Sequence, residues 1–246
     1  SCRARMNRDT VSDFLGKQEM NADSDDRLEE ESALQQMLQY HEITKHHFQG
    51  YARGPGYLDW ASQPNPFRRY SGARLVALEK IPATNEPLYD DVFIHGRLPP
   101  TPVTLRSISR LFYDSLAISA WKSTGEARWA LRVNPSSGNL HPTEGYLICG
   151  PIAGLSAKPM VCHYAPKEHG LEVRAEFGLG QWSKLCEGFP TDTFLLGLTS
   201  IHWREAWKYC QRSYRYCQHD VGHAIGAISI AAAVLGWQAR MLDDLG

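Results

Sequence analysis

Three short stretches of this 246-residue chain carry side chains able to do chemistry. The densest is Arg132-Val-Asn-Pro-Ser-Ser-Gly-Asn-Leu-His-Pro-Thr-Glu144. Ser136 or Ser137 could cap a turn there and leave backbone N–H groups free for electron-rich oxygens. Gly138 permits close backbone approach. Asn139 supplies a donor and an acceptor, and Arg132 a planar fork of donors. Together they suit the polar edge of a flat heterocycle, or simply a capped loop. Phe67-Arg68-Arg69-Tyr70-Ser71-Gly72 suits a phosphate, because guanidinium groups hold phosphate oxygens bidentately, or is a solvated charge pair. Trp207 to His223 offers Lys208 and Tyr209 for proton transfer if burial shifts their pKa values. The ordinary alternative is aromatic core with surface cations. Within it, His219-Asp-Val-Gly-His223 imitates the H-E-x-x-H zinc pattern. However, Asp220 is one methylene short of Glu, Gly222 weakens a helix, and no third ligand follows at a recognised spacing. Gly178-Leu-Gly180-Gln-Trp-Ser183 is half of a dinucleotide fingerprint, and His46-His47 reads as surface.

The composition narrows the classes. Lys+Arg number 26 against 27 Asp+Glu, a net charge of −1, which disfavours a general electrostatic nucleic-acid binder. The six cysteines form no C-x-x-C pair. They fit neither a zinc ribbon nor a disulfide scaffold, so reduced thiols in a cytoplasmic compartment are expected. The longest apolar run, Ala224 to Trp237, is too short to span a bilayer and reads as a buried helix. No secretory signal pattern opens the chain, and Ser1 to Arg5 read as an upstream remnant before Met6.

These groups need elements to position them. Residues 1–32 are acidic and polar and read as a flexible tail up to about Asp26. An amphipathic helix is expected from Leu28 to Tyr51, with Leu34, Met37, Leu38, His41, Ile43 and Phe48 near helical spacing, ended by Arg53-Gly-Pro-Gly56. Tyr57 to Tyr89 reads as a long loop of functional or partner-covering type. Helices follow at Thr104–Ala120, Trp203–Cys210 and His219–Leu235. Strands follow at Gly145–Cys149, Met160–Tyr164, Glu172–Arg174, Phe194–Ser200 and Gln238–Leu242. The mixture specifies an α+β domain over 33–246. A strand reaching the last residues suggests a domain truncated at its C-terminus, the first part of a longer protein.

Asn134-Pro-Ser-Ser-Gly-Asn-Leu-His-Pro142 resembles the flavin-contacting turn of the nitroreductase superfamily, and in particular of its SagB-type dehydrogenase branch, which includes the azoline oxidases that form thiazoles and oxazoles in peptides. Lys208-Tyr209, Arg212, Tyr214-Arg215 and Asp220-x-Gly-His223 are similar to that branch as well. Phe67-Arg-Arg-Tyr-Ser-Gly72 corresponds to its arginine-rich opening motif, except that Tyr70 intervenes before Ser71 and Arg74 lies one step too far for the usual Arg-Arg-Ser-x-Arg. The resemblance covers about Gln39 to Leu242. It implies a nitroreductase-like α+β fold around a mainly antiparallel sheet, with FMN bound at a dimer interface and NAD(P)H a candidate reductant. Arg68 and Arg69 would meet the FMN phosphate, with Ser71 a further cofactor-binding residue. Pro135, Ser136, Ser137, Gly138 and Asn139 would line the isoalloxazine, with Arg132 and Asn134 also cofactor-binding, and Lys208 and Tyr209 would lie beside it as proton-handling residues. The implied substrate is a small molecule or a peptide heterocycle, with no nucleic acid or membrane, and the implied partner a second copy or a second nitroreductase-like domain. Two other readings stay open: a catalytically silent domain that pairs structurally, and a zinc hydrolase using His219 and His223.

Overall fold

The structure, a computed structural model, describes residues 22–82 and 84–242, with side chains from residue 32. The chain forms two compact units that divide between Arg53 and Gly54. The first contains α1 (Ala22–Thr44). It begins before the expected Leu28, so residues 22–26 are helical rather than tail; residues 1–21 lie outside the described part. It also stops well short of Tyr51. The chain instead turns back on itself, with Gly50 bridging His47 and the Ala52 N–H donating to His46 Nδ1 at 3.0 Å. Leu34, Met37, Leu38 and Ile43 on α1 are exposed.

The second unit carries the chemistry-bearing residues. Its sheet has the order β1-β6-β5-β4-β7, with every neighbouring pair antiparallel. β1 (Leu75–Ala77) lies inside the segment expected to be loop. It pairs with β6 because Leu75 to Ala77 meet Glu172 to Gly170 across that edge. After α2 (Tyr89–Val92), α3 (Leu105–Ser115) starts at a capping box in which Thr104 and Ser107 satisfy each other's backbone N–H. α3 is shorter than expected, because its continuation forms a separate two-stranded hairpin, β2 (Ile118–Thr124) and β3 (Ala127–Arg132). Gly125, at φ 53°, makes the tight reversal between them. β4 (Thr143–Cys149), β5 (Met160–Ala165), β6 (Gly170–Glu176) and β7 (Leu195–Ser200) agree with the strands expected from the sequence.

The half-fingerprint at Gly178 is the start of a short helix, α4 (Leu179–Leu185), and cradles no phosphate-type loop between parallel strands. α5 (His202–Tyr209) and α6 (Ser213–Val234) complete the unit. Gln238–Leu242, expected as a strand, is irregular. No strand lies beside it among the described residues; Trp237 Nε1 donates to the Thr101 carbonyl, and Gln238 meets His95 instead. The described cysteines are all free thiols. No described helix is long and apolar enough to cross a membrane.

The core lies between the sheet and helices α3 and α6. Ile108, Phe112, Leu147, Met160, Leu171 and Ala224 are almost fully buried there. Phe112 stacks on Tyr164 with ring centroids 4.5 Å apart. Removing that ring leaves a cavity that rigid neighbours fill poorly, so Phe112→Ala should cost about 3–5 kcal/mol of unfolding free energy. Urea unfolding followed by fluorescence measures this, and a loss below 1 kcal/mol would refute the stated packing role.

Candidate active site

The turn between β3 and β4 is built from residues that tolerate unusual backbone. Gly138, Asn139 and His141 have φ of 62°, 60° and 51°. Glycine enters this left-handed region freely and asparagine with little penalty, whereas histidine does so at a cost. His141 is held there on several sides. Its N–H donates to Ser136 Oγ at 2.8 Å, its ring Nε2 meets Asn139 Oδ1 at 2.8 Å, and its carbonyl accepts from Arg204 Nη1 at 2.6 Å.

Asp220, fully buried on α6, anchors the turn. Its Oδ2 accepts from Ser136 Oγ at 2.6 Å, and its Oδ1 from Ser137 N at 2.9 Å and Ser137 Oγ at 3.1 Å. Ser136 and Ser137 therefore direct their hydroxyls to Asp220 rather than outward. The Asn139 side-chain amide is likewise occupied, donating to the Ala130 carbonyl at 3.0 Å. Pro135 and Gly138 form the exposed part of the turn.

The end of α5 lies directly on Gly138. A methyl group placed at its Cα would stand 2.6 Å from Tyr209 Oη and 3.1 Å from both Lys208 Cδ and Lys208 Nζ. The fold thus brings together the turn and the Lys-Tyr pair, which are some seventy residues apart in sequence. Burial raises the Tyr209 phenol above its ordinary pKa, and the neighbouring Glu205 and Asp220 add to this against Arg212. Its ring packs edge-on against Tyr216 at 4.4 Å.

Several buried polar atoms on the turn's flanks have no partner within the protein: Arg132 Nε, Asn134 Oδ1, His141 Nδ1 and Thr143 Oγ1. They constitute a donor, an acceptor and two adaptable groups. Arg132 donates from Nη2 to the Pro66 carbonyl at 2.6 Å. Burial, only partly offset by Glu144, brings its pKa down to about 10. The same burial, with the Arg132 and Arg204 charges, pulls His141 down to about 3.

The second arginine of the expected phosphate motif is engaged elsewhere. Arg69 Nε donates to Glu172 Oε1 at 2.8 Å, and Arg69 Nη1 pairs with Glu168 at 2.6 Å. Two of its three nitrogens are thus held by carboxylates, which compete with a phosphate for this guanidinium. Arg68 is exposed and lies over the Tyr70 ring at 4.9 Å, and Ser71 sits in an exposed turn. Glu172 continues into a buried chain of ionisable groups. His163 Nδ1 meets Glu172 at 2.8 Å, His163 Nε2 meets Glu144 at 2.6 Å, and Arg204 pairs with Glu144. Burial alone would raise the Glu144 carboxyl. Its bond to His163 and the Arg204 and Arg132 charges outweigh that and hold it below the usual carboxylate range.

His219 and His223 are exposed on α6, while the intervening Asp220 points to the turn. Among the described residues no group of three His, Cys, Asp or Glu could hold a metal ion.

No protein-family model and no curated protein matches the chain. Among solved structures, a candidate nitroreductase from Anabaena variabilis is 27% identical, with a TM-score of 0.59, over 79% of this chain and 38% of that one. A candidate nitroreductase from Ralstonia eutropha (15% identity, TM-score 0.46) covers 68% of this chain and 75% of its own. The E. coli microcin synthetase McbBCD complex with truncated pro-MccB17 bound (19% identity, TM-score 0.47) covers 92% of this chain and 87% of its own. These last two are too distant to carry an argument. The architecture is the nitroreductase-like α+β fold. The chain thus shares the fold of the nitroreductase superfamily and spans 38% of the length of the Anabaena protein.

The His141 ring ties acid stability to the turn. Unfolded, it takes up a proton below about 6.5; folded, only near 3. Between those values the unfolded state binds more protons, so stability falls as pH drops. Replacing it with an amide that does not titrate, His141→Gln, should flatten the fall between pH 6.5 and 4.5, read from urea midpoints. An unchanged slope would contradict the assignment.

Proposed function

We propose that this chain is a flavin-binding oxidoreductase domain of the SagB-like nitroreductase type, with the FMN ring system at the Arg132–Asn139 turn. The observation that carries this reading is the contact of Lys208 and Tyr209 with the bare backbone of Gly138. Without a Cβ at Gly138 the Lys-Tyr pair can pack onto the turn, which sets proton-handling groups beside the place proposed for the ring. The unpartnered Arg132 Nε and Asn134 Oδ1 supply a donor and an acceptor of the kind the polar edge of a flavin requires. Arg68 remains the candidate for the phosphate, since Arg69 is held by Glu168 and Glu172.

The flavin, when bound, supplies hydride transfer. The protein's own contribution is positional and protonic. Asp220 fixes the turn, Gly138 admits the Lys-Tyr pair, and Tyr209 keeps its proton at Oη because burial and acidic neighbours disfavour the phenolate. That proton can pass to a substrate atom as charge develops. Lys208 Nζ stands at the same point, able to orient a polar group of a small molecule or peptide heterocycle. NAD(P)H is the candidate electron donor.

A second reading, a silent domain that pairs with a nitroreductase-like partner or a second copy, draws on α6. Gly222 and Gly226 there face open space, and Ile225 and Ile230 are exposed.

The visible spectrum of the purified protein, with chromatography of the chromophore released on denaturation, separates the two. Near-equimolar FMN is expected. Gly138→Val, which drives a branched side chain into Tyr209 and strains a positive φ, should lose it. A colourless wild-type protein that takes up no added FMN yet self-associates would favour the silent reading. With a substrate in hand, Tyr209→Phe should lower turnover by about 10²–10⁴-fold. Wild-type turnover would remove its proton role.

A further inference from the structure

Glu205 is the most anomalous polar group in the second unit. It is fully buried on α5, and neither of its carboxyl oxygens has a partner within the protein. An ionised carboxylate in that setting is heavily penalised, because no donor replaces the water it loses. Other buried carboxylates of this unit are provided for: Asp220 by the two serines, Glu144 by His163 and Arg204, and Glu172 by His163 and Arg69. Glu205 also stands three and four residues before Lys208 and Tyr209, the spacing that puts all three on one helical face.

We propose that Glu205 is a positioning residue of this site, a neutral carboxylic acid that leaves Lys208 free to lie on the turn and, once ionised, draws the Lys208 ammonium away from it. The groups around it agree. Asp220 and Cys217 face it from α6, and Lys208 and Tyr209 from α5. Burial, reinforced by the Asp220 charge and offset by Lys208, pushes the Glu205 carboxyl up to about 8. At neutral pH the acid therefore carries its proton, and Lys208 Nζ has no anion on α5 to seek. It lies instead within reach of Gly138. Above that range the new carboxylate meets the ammonium one turn along the helix. Glu205 hydrogen-bonds to no residue of the turn; it acts through Lys208.

The consequence for a bound flavin rests on the function proposed above, whereas the state of Glu205 does not. Three measurements keep the two apart. Infrared spectra of protein labelled with ¹³C at the glutamate carboxyl should show a neutral acid band at pH 6.5 that fades as pH passes 8. This needs no variant. Glu205→Gln should remove that band. It should also raise the folding equilibrium constant over wild type by about tenfold per pH unit between pH 5 and 8, because the folded wild-type carboxyl retains a proton that the unfolded one releases. Labelling of Lys208 by an amine reagent, mapped by peptide mass, should fall behind that of Glu205→Gln above pH 8. Absence of the band, or a variant that loses stability relative to wild type as pH rises, would overturn the neutral acid. Identical Lys208 labelling in the two proteins would overturn the link to Lys208. If FMN binds, its affinity should weaken above pH 8 in wild type and not in Glu205→Gln. If FMN does not bind, the flavin reading fails while the other measurements still judge Glu205.

Discussion

The Asp220 carboxylate holds the site in place. It is the acceptor for both serines of the turn, so it joins α6 to the link between β3 and β4. Everything else at the site is referred to that bond. With Ser136 fixed, its hydroxyl can in turn receive the His141 N–H, and the left-handed run around Gly138 keeps its shape. Charge-assisted bonds of this kind are the strong ones, and here they lie out of water. The cost of a buried anion is thereby offset by donors that are also the residues needing to be positioned.

A second buried system supports the first from beneath. His163 lies between Glu144 and Glu172, with a carboxylate at each ring nitrogen. A neutral ring has one N–H, so two such contacts need a further proton on the ring or on one carboxylate. Arg204 and Arg69 close the two ends. Arg204 also reaches the His141 carbonyl, which links the sheet interior to the turn. At the other end Tyr70 donates its N–H to Glu172 and shares a hydroxyl–hydroxyl hydrogen bond with Tyr146, tying the long segment before β1 to the sheet. The segment that reads as loop is thus fastened at defined points: to α5 by the bond from Trp207 to the Asp59 carbonyl, and to Arg132 through Pro66.

Much of this was legible in the sequence, and the limits have physical causes. The strands β4 to β7 and helix α6 announce themselves largely through apolar runs, because they pack on the core. The hairpin does not: most of β2 is exposed, so it has no alternation to read. β1 is three residues long and exists through its neighbour rather than its own pattern. At the site, the turn and the Lys-Tyr pair could be picked out by residue type. The fate of Arg69 could not, since its partner Glu172 is 103 residues away. Asp220 stood out in a zinc-like pattern and in the family resemblance without a role of its own, and Glu205 stood out in neither. Their burial, which gives them their importance, is a property of the folded chain alone.

The stereochemistry of the turn has a consequence for how such a chain can diverge. A hydrophobic core accepts exchanges among side chains of similar volume, so its sequence can drift while its shape persists. The stretch from Ser136 to His141 has no comparable freedom. Gly138 excludes any larger residue by both its φ and its neighbours, and Asn139 occupies a backbone region that β-branched residues avoid. Ser136 must both donate and accept. A molecule of this kind would therefore keep its ancestry most legibly in half a dozen turn residues, long after the helices and sheet around them had been rewritten.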